Sequence, residues 1–214
     1  ERKNVLSGFF YLASALAYLR HLEAKEGQRG GLRDWWASLA LFVLAVLSKS
    51  VAATLPVALA LTIWWKRGRL GAKDILPLLP HFAVGLGFGL FAAWTEKYVV
   101  GAGAVDWGLS PLERFLLAGR IAWFYAGKLL MPVNQAFFYP KWTVSSADPL
   151  SYAGLLAVPA VLGLLWFLRG RWSRGPLVAA LFFLGTLFPV LGFLDVYPMQ
   201  FSWVADHFQY LASL

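Results

Sequence analysis

Cysteine is absent from this chain of 214 residues, and charged residues are scarce. Without cysteine the chain forms no disulfide and offers no thiolate, which excludes a cysteine nucleophile and a thiolate metal site. Charged residues make up 14% of the sequence and hydrophobic residues 59%, a balance far from that of an average soluble domain. This shortage of charge indicates an integral membrane protein.

The opening ERKNVLSGFF lacks the features of a signal peptide, since no basic segment precedes a short apolar core with a small-residue cleavage site. We therefore expect a fragment that is cut at both ends. Basic residues outnumber acidic ones by 19 to 11, which gives a net charge of +8. In a membrane protein such residues collect in cytoplasmic loops, so the charge indicates topology and not binding of nucleic acid.

Apolar segments recur along the chain and predict an all-α, polytopic bundle of membrane helices. At about 20 residues for one crossing, 214 residues hold roughly six or seven crossings and no sizeable soluble domain. We therefore assign residues 1–214 to part of one transmembrane domain. The expected apolar segments are 5–19, 36–65, 75–94, 115–131, 149–168 and 176–194.

The segment 36–65 is too long for one straight crossing. As a single helix it would extend about 45 Å, against a hydrocarbon core of about 30 Å. Both flanking loops are basic, so the positive-inside rule places both on the cytoplasmic side. Two short paired helices that turn near the tripeptide SKS at 48–50 satisfy both constraints.

The segment 114–131 must begin and end on the outer side if the basic loop 169–175 is cytoplasmic. It carries Arg120 and Lys128 on either side of the aromatic triplet WFY. Aromatic rings favour the membrane interface, and long cationic side chains reach water from it. We therefore predict an interfacial helix around 114–131 and not a crossing.

Lys49 is the most informative ionisable residue, because it lies near the apolar middle of a segment. A charge at that depth is costly and is by default a functional hypothesis. A lysine at the tip of a helical hairpin that reaches water accounts for the same residue, and both interpretations stand open. In the functional interpretation the ammonium binds an anionic headgroup or a phosphate at the outer surface.

Other charged residues are expected on the same outer side as Lys49. Arg2 and Lys3 precede the first helix, and Asp206 and His207 follow the last apolar segment. Our hypothesis is that these residues and Lys49 surround one extracytoplasmic cavity. Ordinary interface charges and the start of an interfacial helix are the alternative interpretations.

The sequence indicates neither a metal site nor a pair of catalytic carboxylates. His21 and His81 lie far from His207, so a three-histidine site is unsupported. The acids of the outer loops form no close pair in sequence, so a glycosidase-like pair cannot be assigned. We assign no metal ligand and leave a divalent metal open as a cofactor.

Five stretches in this order carry a resemblance to a known family: ERKNVLSGFF, LSKSVAATLP, FYAGKLLMPVNQAFFYPKW, FFLGTLFPVLGF and ADHFQYLAS. Together they resemble bacterial members of the transmembrane and tetratricopeptide-repeat O-mannosyltransferase-like family, in the GT-C superfamily of membrane glycosyltransferases. The resemblance covers essentially the whole chain. It implies a GT-C-like fold, catalytic acids in outer loops before residue 1, and a repeat domain after the last residue.

The resemblance implies transfer of a mannose-like sugar from a polyprenyl-phosphate donor to protein hydroxyl groups. The reaction would take place on the extracytoplasmic face of a bacterial inner membrane. The implied partners are membrane lipids, the lipid-linked donor and a protein or peptide acceptor. A membrane transporter or scaffold is the alternative function, although the sequence shows no internal repeat of the kind common in transporters.

The resemblance also implies which residues bind the donor phosphate or substrate: Arg2, Lys49, Asp206, His207 and Tyr210. Arg2 falls where the family often has an arginine that ends an outer loop, and Lys49 matches the lysine of its SK pair. Asp206 and Tyr210 align with an acid and a tyrosine of a family pattern. His207 stands where that pattern has an arginine, and the imidazole would need to be protonated to bind phosphate. The stretch from Asp206 is expected to start a further helix.

Overall fold

The computed structural model describes residues 2–25, 31–102 and 107–214, which contain helices and no strand. The prediction of an all-α chain is therefore confirmed for these ranges. The α-helices are α1 (Arg2–Lys25), α2 (Leu32–Ser48), α3 (Leu55–Arg67), α4 (Ala72–Ile75), α5 (Leu79–Thr95), α6 (Pro111–Leu130), α7 (Ser151–Leu168) and α8 (Gly175–Leu187). Short 3₁₀ helices cover Ser50–Thr54, Leu76–Leu78, Phe188–Val190, Tyr197–Gln200 and Asp206–Phe208, and a π-helical turn covers Glu96–Val100.

Within the described residues, three helical stretches are long and apolar enough to cross a membrane. They are Arg2–Glu23, Ala72–Val100 and Ser151–Leu168, and a shorter apolar stretch covers Gly175–Val190. The first contains the apolar segment 5–19, whose flanks extend α1 to 24 residues. Length and composition thus indicate a membrane protein, as the sequence predicts.

The chain divides into two compact units, residues 1–92 and residues 93–214. In the first unit, α1 packs along α2 through buried serines. Ser7 Oγ donates to the Ala45 carbonyl at 3.2 Å, and Ser14 Oγ donates to the Ser38 carbonyl at 2.7 Å. Small polar side chains let membrane helices approach closely and bond to each other, which stabilises this pair.

His81 lies at the start of α5 and is fully buried in the first unit. Its Nε2 lies 3.1 Å from Ser38 Oγ, which links α5 to the buried serines of α1 and α2. One turn later, Gly85 brings α5 against the first 3₁₀ helix, since an added Cβ would lie 2.8 Å from the Ala53 carbonyl oxygen. The first unit therefore has a small polar cluster within its apolar core.

The break predicted within 36–65 is confirmed. After α2 ends, the backbone of Lys49 is extended (φ −158°, ψ 128°), and a 3₁₀ helix follows before α3 begins. Pro56 explains where α3 begins, because proline disrupts a helix interior but fits the first turn, where its missing N–H costs nothing. Both α2 and α3 contact α1.

The segment 114–131, predicted as an interfacial helix, is helical and corresponds to α6. The helix starts with a capping box: the Ser110 hydroxyl accepts from the Glu113 amide at 3.3 Å, and the Glu113 carboxylate accepts from the Ser110 amide at 3.0 Å. Leu117, Ile121 and Tyr125 are fully buried and form the core of the second unit. The other face of α6 is exposed, and its place at a membrane interface stays a prediction.

The second unit depends on a close crossing of α6 and α7. A Cβ added to Gly119 would lie 2.5 Å from the backbone nitrogen of Leu155, and Gly154 faces Gly119 from α7. The indole nitrogen of Trp123 donates to the Gly154 carbonyl at 3.1 Å beside this crossing. Only glycine lets the two backbones approach to this distance.

One expectation near the end of the chain is wrong, and another extends too far. The apolar segment 176–194 is helical only as far as Val190: α8 ends at Leu187, and a 3₁₀ turn that contains Pro189 follows. The helix expected from Asp206 is a 3₁₀ turn, Asp206–Phe208, followed by further turns. The sequence pattern did not disclose that the Asp206 carboxylate is engaged by a distant loop.

Candidate functional site

Lys49 and Arg2 lie in the first unit, at the same end of α1. Lys49 is half-buried, and its ammonium donates to Oδ1 of Asn4, at 2.5 Å, in the first turn of α1. Arg2, in the same turn, is exposed. A half-buried ammonium that is oriented by an amide oxygen is compatible with an anion site and with a lysine that reaches water, so both interpretations of Lys49 remain.

Asp206 lies in the second unit and fixes the loop 131–145, which we call the aromatic loop. One carboxylate oxygen of Asp206 accepts from the Ala136 amide at 2.6 Å, and the Tyr139 hydroxyl lies 2.9 Å from the same oxygen. Charge-assisted bonds of this kind are stronger than bonds between neutral groups. In the structure Asp206 therefore holds the aromatic loop in place through these two bonds.

His207 contacts the same loop, whereas Tyr210 is partly exposed. The His207 ring stacks on Phe137 of the aromatic loop, with centroids 4.9 Å apart, and Tyr210 is 39% exposed. The structure thus brings Asp206 and His207 together against one loop of the second unit. The cavity expected to unite them with Arg2 and Lys49 stays a prediction.

Arg120 and Lys128, which the sequence placed at a membrane interface, rest on aromatic rings. The Arg120 guanidinium lies 4.4 Å from the ring centroid of Trp142, and the Lys128 ammonium lies 5.0 Å from that of Tyr139. Cations at such distances are attracted by the negative faces of the rings. Lys128 also donates to the carbonyl of Asn134 at 2.9 Å, so the cation fastens the start of the aromatic loop.

Lys141 is a third cation of this kind, which the sequence reasoning missed. Its ammonium lies 4.1 Å from the ring centroid of Trp203 and 5.2 Å from that of Trp107. Partial burial lowers the pKa of Lys141 from its ordinary value. We call this set the cation–aromatic layer: Arg120, Lys128 and Lys141 with Trp107, Phe124, Tyr139, Trp142 and Trp203.

The aromatic rings of the cation–aromatic layer pack against the core of the second unit, which contains the buried Tyr125 of α6. The Tyr125 hydroxyl donates to the Ala205 carbonyl at 3.1 Å and accepts from the Ala205 amide at 3.0 Å. Gln209 adds a bond from its side-chain nitrogen to the Tyr125 carbonyl at 3.0 Å. Burial raises the pKa of Tyr125 well above its ordinary value, so the hydroxyl stays neutral and supports the fold.

Glu113 and Asp148, acids predicted to lie on the outer side, hold backbone in place. Glu113 accepts from the amides of Ser110 and Ser146, and these donors lower the pKa of its carboxyl group. Asp148 accepts from the Leu150 amide at 3.0 Å, close to the start of α7. Within the described ranges, no cluster of three or more histidine, cysteine or acidic side chains could hold a metal ion.

No protein-family model, no curated protein and no solved structure matches the chain. The family resemblance therefore rests on the five sequence stretches, and the function that it implies is a proposal.

Proposed function

We propose that the chain is part of a membrane glycosyltransferase that uses a polyprenyl-phosphate sugar as donor. In this proposal the helices form a GT-C-like polytopic bundle in a bacterial inner membrane, and the site faces the outside. The acceptor is a hydroxyl group of a protein or peptide. The support from the sequence is the set of five ordered stretches.

The observation that carries the proposal is the cation–aromatic layer. A lipid-linked sugar presents a phosphate beside a sugar ring, and it lies where the membrane meets water. Cations bind a phosphate by charge-assisted hydrogen bonds, and aromatic faces cover the less polar face of a ring. Lys141 offers such a charge beside aromatic rings on the loop that Asp206 holds in place, and Lys128 offers another from the end of α6.

The proposed reaction is a direct displacement at the anomeric carbon of the sugar. The acceptor oxygen forms a bond to that carbon, the bond between the carbon and the phosphate oxygen breaks, and the acceptor proton passes to a carboxylate that acts as general base. Cationic side chains stabilise the phosphate as it leaves. Lys49 and Arg2 are the candidates in the first unit, and Lys141 is the candidate in the second.

Binding of a polyprenyl-phosphate sugar to the full-length protein in nanodiscs tests the proposal. We expect saturable binding that weakens in Lys141→Gln and in Lys49→Ala. The exposed Lys73 of α4 gives a matched control, and Lys73→Gln should bind as the unaltered protein does. Absence of binding by well-folded protein would overturn the proposal and favour a transporter or a scaffold.

A further inference from the structure

Two cavities of the second unit share the Trp123 side chain as a wall. The first, called the polar cavity because Arg120, Asp148 and Ser151 lie in its wall, has a volume of about 680 Å³; the rest of its lining is apolar, from Trp123, Leu150, Ala153, Gly154 and Ala157. The second has a volume of about 140 Å³ and lies between α6, α7 and α8. Its lining is apolar throughout: Ala122, Ala126, Val158, Val161, Leu162, Ala180, Phe183 and Leu184, with Trp123.

The polar cavity presents an oriented guanidinium. Arg120 stacks on Trp142, and one of its nitrogens lies 3.5 Å from the Thr143 carbonyl oxygen, so its plane is held from one side. Arginine carries five N–H donors in a rigid fork, which leaves others to bind a ligand. Asp148 in the same cavity is engaged by the Leu150 amide and by the Ser151 hydroxyl, at 3.0 and 3.1 Å.

The apolar cavity is suited to a hydrocarbon chain. At roughly 30 Å³ for a water-sized group, its volume holds about five such groups. Three alanines, Ala122, Ala126 and Ala180, leave this space open between the larger side chains. Water in such a cavity would have few polar partners, so the space favours an apolar occupant.

The two adjoining cavities together extend along α7 over about the depth of one membrane leaflet. The polar cavity reaches Ser151 at the start of α7, and the apolar cavity reaches Leu162. At 1.5 Å per residue these positions lie about 16 Å apart along the helix, close to half of a hydrocarbon core of about 30 Å. Because α7 has the length and apolar composition of a membrane span, one end fits a headgroup and the other fits a chain.

We propose that a single anionic phospholipid occupies these two cavities. Its phosphate contacts Arg120, and one acyl chain passes Trp123 and places a segment of about five carbon groups in the apolar space between α6, α7 and α8. The lipid bridges three helices and so acts as a structural component of the second unit. This structural role is separate from the donor site, for which Lys141 is the candidate of the second unit.

Lipid titration of the delipidated full-length protein tests the proposal, with native mass spectrometry as the readout. We expect one tightly held phosphatidylglycerol for each chain and weaker retention of phosphatidylcholine. Arg120→Gln should weaken phosphatidylglycerol binding about tenfold, because a charge-assisted contact is lost. Arg169→Gln, at the opposite end of α7, is the matched control and should leave this binding unchanged.

A variant that fills the apolar space separates the two halves of the site. Ala180→Phe should weaken retention of both lipids, and Ala126→Leu serves as a second variant if the first does not fold. Equal retention of both lipids by the unaltered protein, or full phosphatidylglycerol binding by Arg120→Gln, would refute the proposal. Displacement of phosphatidylglycerol by inorganic phosphate would overturn the proposal in favour of a simple anion site. Preferential retention of a polyprenyl phosphate would overturn it in favour of a different lipid.

Discussion

Gly119→Ala should separate α6 from α7 and destabilise the second unit. The added Cβ would lie 2.5 Å from the Leu155 nitrogen and 2.8 Å from the Gly154 carbonyl carbon, and neither backbone atom can turn aside. Carbon atoms in contact lie about 3.5 to 4.0 Å apart, so the helices must move apart by roughly 1 Å or more. This movement also lengthens the bond from the Trp123 indole to the Gly154 carbonyl, now 3.1 Å.

The expected loss of stability is about 2 to 4 kcal/mol. Overpacking of a tight contact costs about 1 to 3 kcal/mol, and the weakened hydrogen bond adds about 1 kcal/mol. Thermal unfolding of the purified protein in one detergent measures the change, which should appear as a Tm lower by at least about 5 °C.

Gly127→Ala, on the same helix, is the matched control, because a Cβ at Gly127 meets nothing within 4 Å. Alanine favours a helix by up to about 1 kcal/mol over glycine, so this variant should be as stable as the unaltered protein or more stable. Equal Tm values for Gly119→Ala and Gly127→Ala would refute the reasoning about the crossing.

Three further predictions concern single side chains. Tyr125→Phe should destabilise the protein by about 1 to 3 kcal/mol in thermal unfolding, because it leaves a buried amide and a buried carbonyl without their partner, whereas Tyr152→Phe at an exposed bond should change little. The carboxyl group of Glu113 has a lowered pKa, so the stability that its bonds contribute is present above pH 4.5 and is lost as pH falls through the lowered pKa. Glu113→Gln should remove this part of the dependence of Tm on acid pH. Identical curves of Tm against pH for the two proteins would refute the prediction. Lys49→Ala should lower sugar transfer by the full-length protein without loss of expression, while Lys73→Ala should not; unchanged transfer at limiting and saturating donor would remove Lys49 from the site.

Helix positions were predictable because they depend on local patterns. Apolar runs predicted α1, α5 and α7, and the length of 36–65 together with its basic flanks predicted the break at Lys49. The end of α8 was also within reach of the sequence, since Pro189 marks it. The predicted segment 176–194 followed hydropathy alone and therefore continued past Pro189.

The candidate site was harder to predict because its contacts join residues far apart in sequence. The contact between Asp206 and the Ala136 amide spans 70 residues, and no local pattern indicates that an acid will hold a distant loop. The same applies to Lys141 and Trp203, whose pairing follows from the folded path of the aromatic loop. The sequence did show cations and aromatic residues alternating through 120–142, which was the available signal.

The contact between Asp206 and the aromatic loop has a consequence for the order of assembly. The loop leaves the ribosome long before its anchor, because Asp206 follows Ala136 by 70 residues. At a synthesis rate of about 5 to 20 residues per second, Asp206 is added roughly 4 to 14 s after Ala136. During that time α7 and α8 are synthesised, so the aromatic loop takes its final position only after this helical pair is complete.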